Sequence, residues 1–117
     1  MNLDLSEVWC PTQAEFDAFA ALSGDANPIH VDPEFAATTP FGRTVSHGML
    51  IYAKLWSMLT RACPNARHVA HDMMFPAPCF AQDTIHLSVV GHAPGSVLLV
   101  AVREDGTEVF TGRAELA

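Results

Sequence analysis

The sequence predicts an α+β fold in which an antiparallel sheet wraps round one long buried helix, and three observations lead to it. From about His47 to Ala62 the chain is apolar on every side except for Lys54 and Arg61, since Met49, Leu50, Ile51, Tyr52, Ala53, Leu55, Trp56, Met58 and Leu59 leave no polar face. A helix of that pattern is expected to be buried all round. After Pro64 the chain breaks into strand-like runs, His68 to Phe75, Thr84 to Val90, Ser96 to Arg103 and Glu108 to Leu116, parted by turn formers such as Ala93-Pro94-Gly95 and Glu104-Asp105-Gly106. Within these, Val97 to Val102 is apolar on both faces, which suits a central strand.

The elements before the long helix follow in order. Leu3 to Trp9 alternates loosely and reads as an edge strand. Thr12 and Glu15 stand at the spacing of a capping box, so a helix starts there. Phe16, Phe19, Ala20 and Leu22 supply its apolar face, and Gly24 ends it. Asp32-Pro33-Glu34 opens a second, short helix to about Ala37, with Asp32 as N-cap and Pro33 at the first helical position. Thr38 to Val45, with Pro40 and Gly42, reads as a loop, and Ser46 is expected to cap the long helix.

A chain of 117 residues and 12.6 kDa is expected to form one domain over 1–117, too small to enclose a long substrate alone. Its content of 50% hydrophobic and 16% charged residues leaves more apolar surface than a monomer of this size covers, so a homodimer or higher homo-oligomer is expected. Thirteen acidic residues against six basic ones, a formal charge of -7, with no basic run, exclude a nucleic-acid partner. Cys10, Cys63 and Cys79 lack the paired spacing of a zinc or redox motif and read as buried free thiols. Met1 to Glu7 has no secretory pattern, and the apolar run from Met49 to Leu59 contains Lys54 and is too short for a ~30 Å bilayer. A cytoplasmic protein with no membrane segment is the expectation.

The chemistry concentrates in Ser23-Gly24-Asp25-Ala26-Asn27-Pro28-Ile29-His30-Val31-Asp32. Pro28 lacks the backbone donor and biases Asn27 away from helical geometry, so the segment is not continuous helix and Asp25 and His30 are expected on a bent loop. A carboxylate and an imidazole on a rigid bend can converge on one water, which is what general acid–base catalysis needs. His68 and His71, three apart in a strand, are expected to point to opposite faces, which argues against a metal there.

Phe19-x-x-Leu22-Ser23-Gly24-Asp25-x-Asn27-Pro28-Ile29-His30-x-Asp32, then Ala36, Phe41-Gly42 and Ser46-His47-Gly48-Met49-Leu50, resemble the MaoC-like enoyl-CoA hydratases and dehydratases. Phe75-Pro76-Ala77-Pro78 before Asp83-Thr84-Ile85, and Asp105-Gly106 with Thr111-Gly112-Arg113-Ala114, extend the likeness over about residues 12 to 116. Gln82 departs from it, standing where the family more often has a Pro-Gly turn. The resemblance implies a hot-dog fold and hydration of a trans-2-enoyl-CoA to the (R)-3-hydroxyacyl-CoA, with coenzyme A present only as part of the substrate and no other cofactor or metal. It implies that Asp25 is the catalytic acid residue, that His30 shares its water and that the Gly48 amide binds the thioester oxygen. Asn27, Phe41, Ser46, His47 and Met49, in or beside the matching motifs, are expected at the substrate. For Asn27 a role in fixing the bend, and for His47 a structural role at the helix start, stay open beside this.

Other functions are separable on the same residues. A hot-dog thioesterase normally carries a carboxylate on the buried helix, and none occurs between Met49 and Arg61. A dehydratase of a specialised acyl-CoA or of a carrier-bound acyl group, and a non-catalytic acyl-binding module, remain as alternatives. Lys54 and Arg61 fall on one helical face and, with Arg43, are candidates to reach an anionic partner.

Overall fold

A computed structural model describes all of residues 1–117. The elements run β1 (Asn2–Trp9), α1 (Gln13–Ser23), α2 (Pro28–Val31), α3 (Pro33–Ala37), α4 (Gly48–Ala62), β2 (His68–Met74), β3 (Ile85–His92), β4 (Gly95–Arg103) and β5 (Glu108–Leu116). The strands form one five-stranded sheet in the order β1-β3-β4-β5-β2, every pairing antiparallel. β4 is central and β1 is an edge, as the patterns predict.

Along β4, Val97, Leu99 and Ala101 are buried while Leu98 is exposed on the outer face. The inner face meets α4, whose Leu50, Ile51, Leu55, Met58 and Leu59 join Phe16, Ile85, Leu87, Val89, Leu99 and Phe110 in one core. Sheet twist and register shifts in the β4–β5 and β2–β5 pairs curl the strands round the helix. This is the hot-dog arrangement, an α+β fold.

The helix is not buried all round. Met49, Ala53 and Ser57 are exposed, and Tyr52 and Trp56 are only half-buried. A sheet covers one side of a helix, so the apolar residues on the other side must find cover elsewhere or remain wet. Nor does Ser46 cap α4: His47 is the N-cap and makes no side-chain cap bond, while the Ser46 hydroxyl donates to the His47 carbonyl at 2.9 Å.

The capping box of α1 forms as its spacing dictates, Thr12 and Glu15 each bonding the other's backbone, and Gly24 ends the helix at φ 80°, a conformation that favours glycine. Leu22 lies off the buried face and is exposed. Asp32 caps α3 through the amides of Glu34 and Phe35. His68 and His71 do not diverge: the strand bulges between His68 and Ala70, resetting the alternation, and the two rings lie 4.8 Å apart. They pack on Trp56 and Tyr52 respectively. Of the cysteines only Cys79 is buried; Cys10 is exposed and Cys63 partly so, and all three are free. No helix is long and apolar enough to cross a membrane.

Candidate functional site

Asp25 follows the glycine that stops α1, and His30 lies not on a loop but in the single turn of α2. Pro28, which cannot continue a helix, is well suited to begin one, and it occupies the first turn with Asn27 as N-cap. The Asn27 side-chain oxygen accepts from the Ile29 amide at 3.1 Å, and the Asp25 carboxylate accepts from the Asn27 amide at 3.4 Å. The turn is tied down further by Gln13, whose Nε2 donates to the His30 carbonyl at 2.8 Å and whose Oε1 accepts from the Thr44 hydroxyl at 2.6 Å. Gln13 and the buried Thr44 are positioning groups for which the sequence offered no signal.

His30 Nδ1 lies 2.7 Å from the Val45 carbonyl. A carbonyl only accepts, so the proton sits on Nδ1 and Nε2 faces the Asp25 carboxylate, 3.7 Å away. That distance is too long for a direct hydrogen bond. The Asp25 side chain is 57% exposed and that of His30 15%, so small molecules can reach the pair.

His47 completes the cluster. It is only 2% exposed, its Nε2 donates to the Asp25 backbone carbonyl at 2.8 Å, and its ring stacks on His30 with centroids 3.9 Å apart and planes at 23°. The remaining nitrogen, Nδ1, is buried without a partner. Atoms of Asp25, His30 and His47 all lie within 4.8 Å of one another, a donor set of the kind that binds metals.

Ser46 and Gly48 flank His47 and face the other way, into a mainly apolar cavity of about 460 Å³. Phe41, Val45, Met49, Phe75 and Cys79 also line it, and its size falls within the range of small-ligand pockets. Asp25, Asn27, His30 and His47 do not line it. The amides of Gly48 and Met49 at the start of α4 donate to no backbone or side-chain acceptor, as expected for a helix N-terminus, where the dipole also favours negative charge. Cys79 is inert there: burial, helped by the Asp83 carboxylate, pushes its thiol up to about 12.

The three cations considered for an anionic partner are each engaged within the chain. Lys54 pairs with Glu15 at 2.7 Å and Arg61 with Glu7 at 2.6 Å. Arg43 pairs with Asp83 at 3.2 Å and lies over the Phe80 ring.

Residues 4–104 match the MaoC like domain family. The (R)-specific enoyl-CoA hydratase of Aeromonas caviae is 37% identical over 112 residues, covering 89% of this chain and 78% of that protein. The 3-hydroxybutyryl-CoA dehydratase of Methylorubrum extorquens is 39% identical over 75 residues, 61% of this chain but only 46% of its own length. Among solved structures, the A. caviae (R)-hydratase superposes with a TM-score of 0.84 at 30% identity, covering 97% of this chain and 92% of that one. The R-hydratase PhaJ1 of Pseudomonas aeruginosa, at 24% identity and a TM-score of 0.89 over 99% of this chain and 79% of that one, shares the fold. With its family motifs, its sheet-wrapped helix and its acid–imidazole pair beside free helix amides, the chain belongs to the MaoC-like domain family.

Proposed function

We propose that this protein is a hydro-lyase that adds water to trans-2-enoyl-CoA to form the (R)-3-hydroxyacyl-CoA, and catalyses the reverse dehydration. The observation that carries the reading is the approach of the Asp25 carboxylate and His30 Nε2 to 3.7 Å, tied to the start of α4 through His47, which bonds the Asp25 carbonyl, stacks on His30 and directly precedes the free Gly48 amide. Water held between carboxylate and imidazole loses a proton to Asp25 as its oxygen bonds the β-carbon. The electron pair of the C=C bond moves toward the thioester oxygen, which takes up the Gly48 amide's hydrogen bond. A proton passed back from the pair to the α-carbon completes the addition, so only water is consumed. A backbone donor at a helix N-terminus suits that oxygen because it is already oriented and needs no reorganisation.

Phe41, Ser46 and Met49, on the cavity wall, contact the acyl or pantetheine portion; Asn27 and His47 hold the catalytic turn in shape beside it. Coenzyme A enters as part of the substrate, with no further cofactor or metal. Free CoA is preferred over a carrier protein as the acyl carrier, because a formal charge of -7 opposes docking of an acidic partner. The protein works as a homodimer: one edge of β2 has no partner within the chain, and Val69, Met74 and Phe75 are exposed there while Met49 is exposed on α4. Three unpaired cysteines fit a reducing compartment, which we take to be the cytoplasm.

The test is loss of enoyl absorbance with crotonyl-CoA and longer analogues, with product chirality determined. Wild-type protein is expected to turn over, and Asp25→Asn to lower kcat by roughly 10²–10⁴-fold. Undiminished turnover in Asp25→Asn removes that residue from the mechanism. No turnover with any enoyl thioester, together with retained binding of acyl-CoA, makes the protein an acyl-binding module instead.

A further inference from the structure

We infer that the Phe75 ring is what reserves position 48 for glycine, and that the same ring decides the shape of acyl group admitted beside the α4 amides, favouring an unbranched α-carbon. The second half rests on the hydratase reading; the first does not.

Gly48 differs in kind from Gly24, Gly42 and Gly106, and, like Gly112, it is crowded without a left-handed backbone; at Gly48 alone the crowding atoms all belong to one ring. Gly24, Gly42 and Gly106 have left-handed backbones, with nothing within 4 Å of where a Cβ would stand. Their requirement is conformational. Gly48 has no positive φ, so its backbone suits any residue, yet a Cβ there would lie 2.6, 2.7 and 2.9 Å from Cε1, Cζ and Cδ1 of Phe75. Contacts of that length are repulsive, and the edge of one ring makes all of them. What a side chain at this position meets is space already taken, not a backbone it cannot adopt: it requires the Phe75 ring to move.

The ring, though 46% exposed, is held on one side. Phe75 directly follows β2, whose Met74 pairs with Thr111, and precedes Pro76, which restricts its backbone. Its ring meets Phe110, which is fully buried, edge-on at 5.4 Å between centroids. Phe75 and Gly48 both line the 460 Å³ cavity, so the ring is a wall of the cavity where it reaches the free amides. A thioester oxygen bonded to the Gly48 amide brings its carbonyl carbon and α-carbon next to that wall. A hydrogen on the α-carbon fits there, and a methyl group competes with the ring for the same space.

A double-mutant cycle tests both halves, using Gly48→Ala, Phe75→Ala and the pair, with Phe75→Leu as a milder replacement should Phe75→Ala fold poorly. Alanine at 48 keeps the amide donor, so the variant changes space and leaves the hydrogen bond available. Melting temperature is expected to fall by several degrees in Gly48→Ala and to recover in the pair relative to the Phe75 single variant, giving clear non-additivity. With crotonyl-CoA, Gly48→Ala is expected to lose activity that the second change partly restores. With 2-methylcrotonyl-CoA, Phe75→Ala is expected to raise kcat/KM relative to crotonyl-CoA by about tenfold or more, the usual worth of one methyl group in a pocket. Additive melting temperatures, or a Gly48→Ala loss that removing the ring does not relieve, would overturn the coupling. An unchanged substrate ratio would overturn the role in acyl shape. Wild-type protein inert toward every enoyl thioester would sink the hydratase reading and the acyl-shape half together, while the melting cycle still decides whether ring and glycine are coupled.

Discussion

Asp25 and His30 owe their approach to a set of small bonds, of which the one from His47 is the most telling. Its Nε2–H holds the carbonyl of Asp25 and its ring lies flat on His30, so one side chain positions both members of the pair. Removing the donor leaves a carbonyl short of a partner, a cost of roughly 1–3 kcal/mol where water does not replace it, and frees the residue whose carboxylate must be aimed. His47→Phe keeps a ring for the stack and loses the donor; His47→Gln keeps a donor at a similar reach and loses the ring. If orientation of Asp25 is the main service, kcat on crotonyl-CoA falls about tenfold in His47→Phe with KM little changed, and His47→Gln recovers most of it. Equal losses in both variants would leave His47 a packing residue only. That Asp25 and His30 could meet was legible from the bend at Pro28, although a loop was expected where Pro28 opens α2; the stack was not legible, because the two histidines are brought together only when α2 and the start of α4 dock.

The helix α1 and its contacts show the same division among elements. Its capping box is a local matter, written in Thr12 and Glu15, and it forms as read. The use of Glu15 is wider. Its carboxylate also accepts from the Trp9 indole at 3.0 Å and from Lys54 on α4 at 2.7 Å, so strand, helix and helix meet on one side chain. Partial burial pushes the Glu15 carboxyl up, but the bonds from Lys54 and Trp9, the Lys54 charge and the Thr12 amide together outweigh it and hold the group below the usual 4.5. A carboxyl lowered in the folded state contributes stability that is complete above its unfolded value and is lost as pH falls through its folded one. Lys54→Met should therefore flatten the decline of melting temperature from about pH 5 to about pH 3 relative to wild type. An unchanged slope would show that this pair contributes nothing measurable. Tertiary contacts also shape two other places. The bulge in β2 brings His68 and His71 together against α4. Gln82 adopts φ 68° where a glycine would be relaxed, held by its amide bond to the Pro11 carbonyl at 2.7 Å.

Across the whole molecule the unfinished business is apolar surface. The sheet covers one side of α4 and leaves Met49, Val69, Met74 and Phe75 exposed along the helix and the free edge of β2. An open strand edge with hydrophobic neighbours is a template for pairing with another chain, and a second copy pairing there would cover the cavity mouth from the side. Met74→Asp places an uncompensated charge in that edge. Wild-type protein is expected to sediment at twice the 12.6 kDa chain mass, and Met74→Asp to shift toward the monomer with loss of hydratase activity. A wild-type monomer with full activity would refute this arrangement.

What the sequence determined by itself is whatever depends on neighbours along the chain. The caps of α1 and α3, the glycine and proline boundaries and the side-chain bonds within Asp25-Ala26-Asn27-Pro28-Ile29 are of this kind, since a side chain bonding an amide two or three residues away needs no tertiary partner. What only the tertiary structure decided is which apolar residues stay exposed, which way His47 points, that Gln13 steadies His30, and that a phenylalanine after β2 leaves no room beside Gly48. These depend on groups far apart in sequence meeting at distances of a few ångströms, and a pattern of residue types carries no information about which of them will meet.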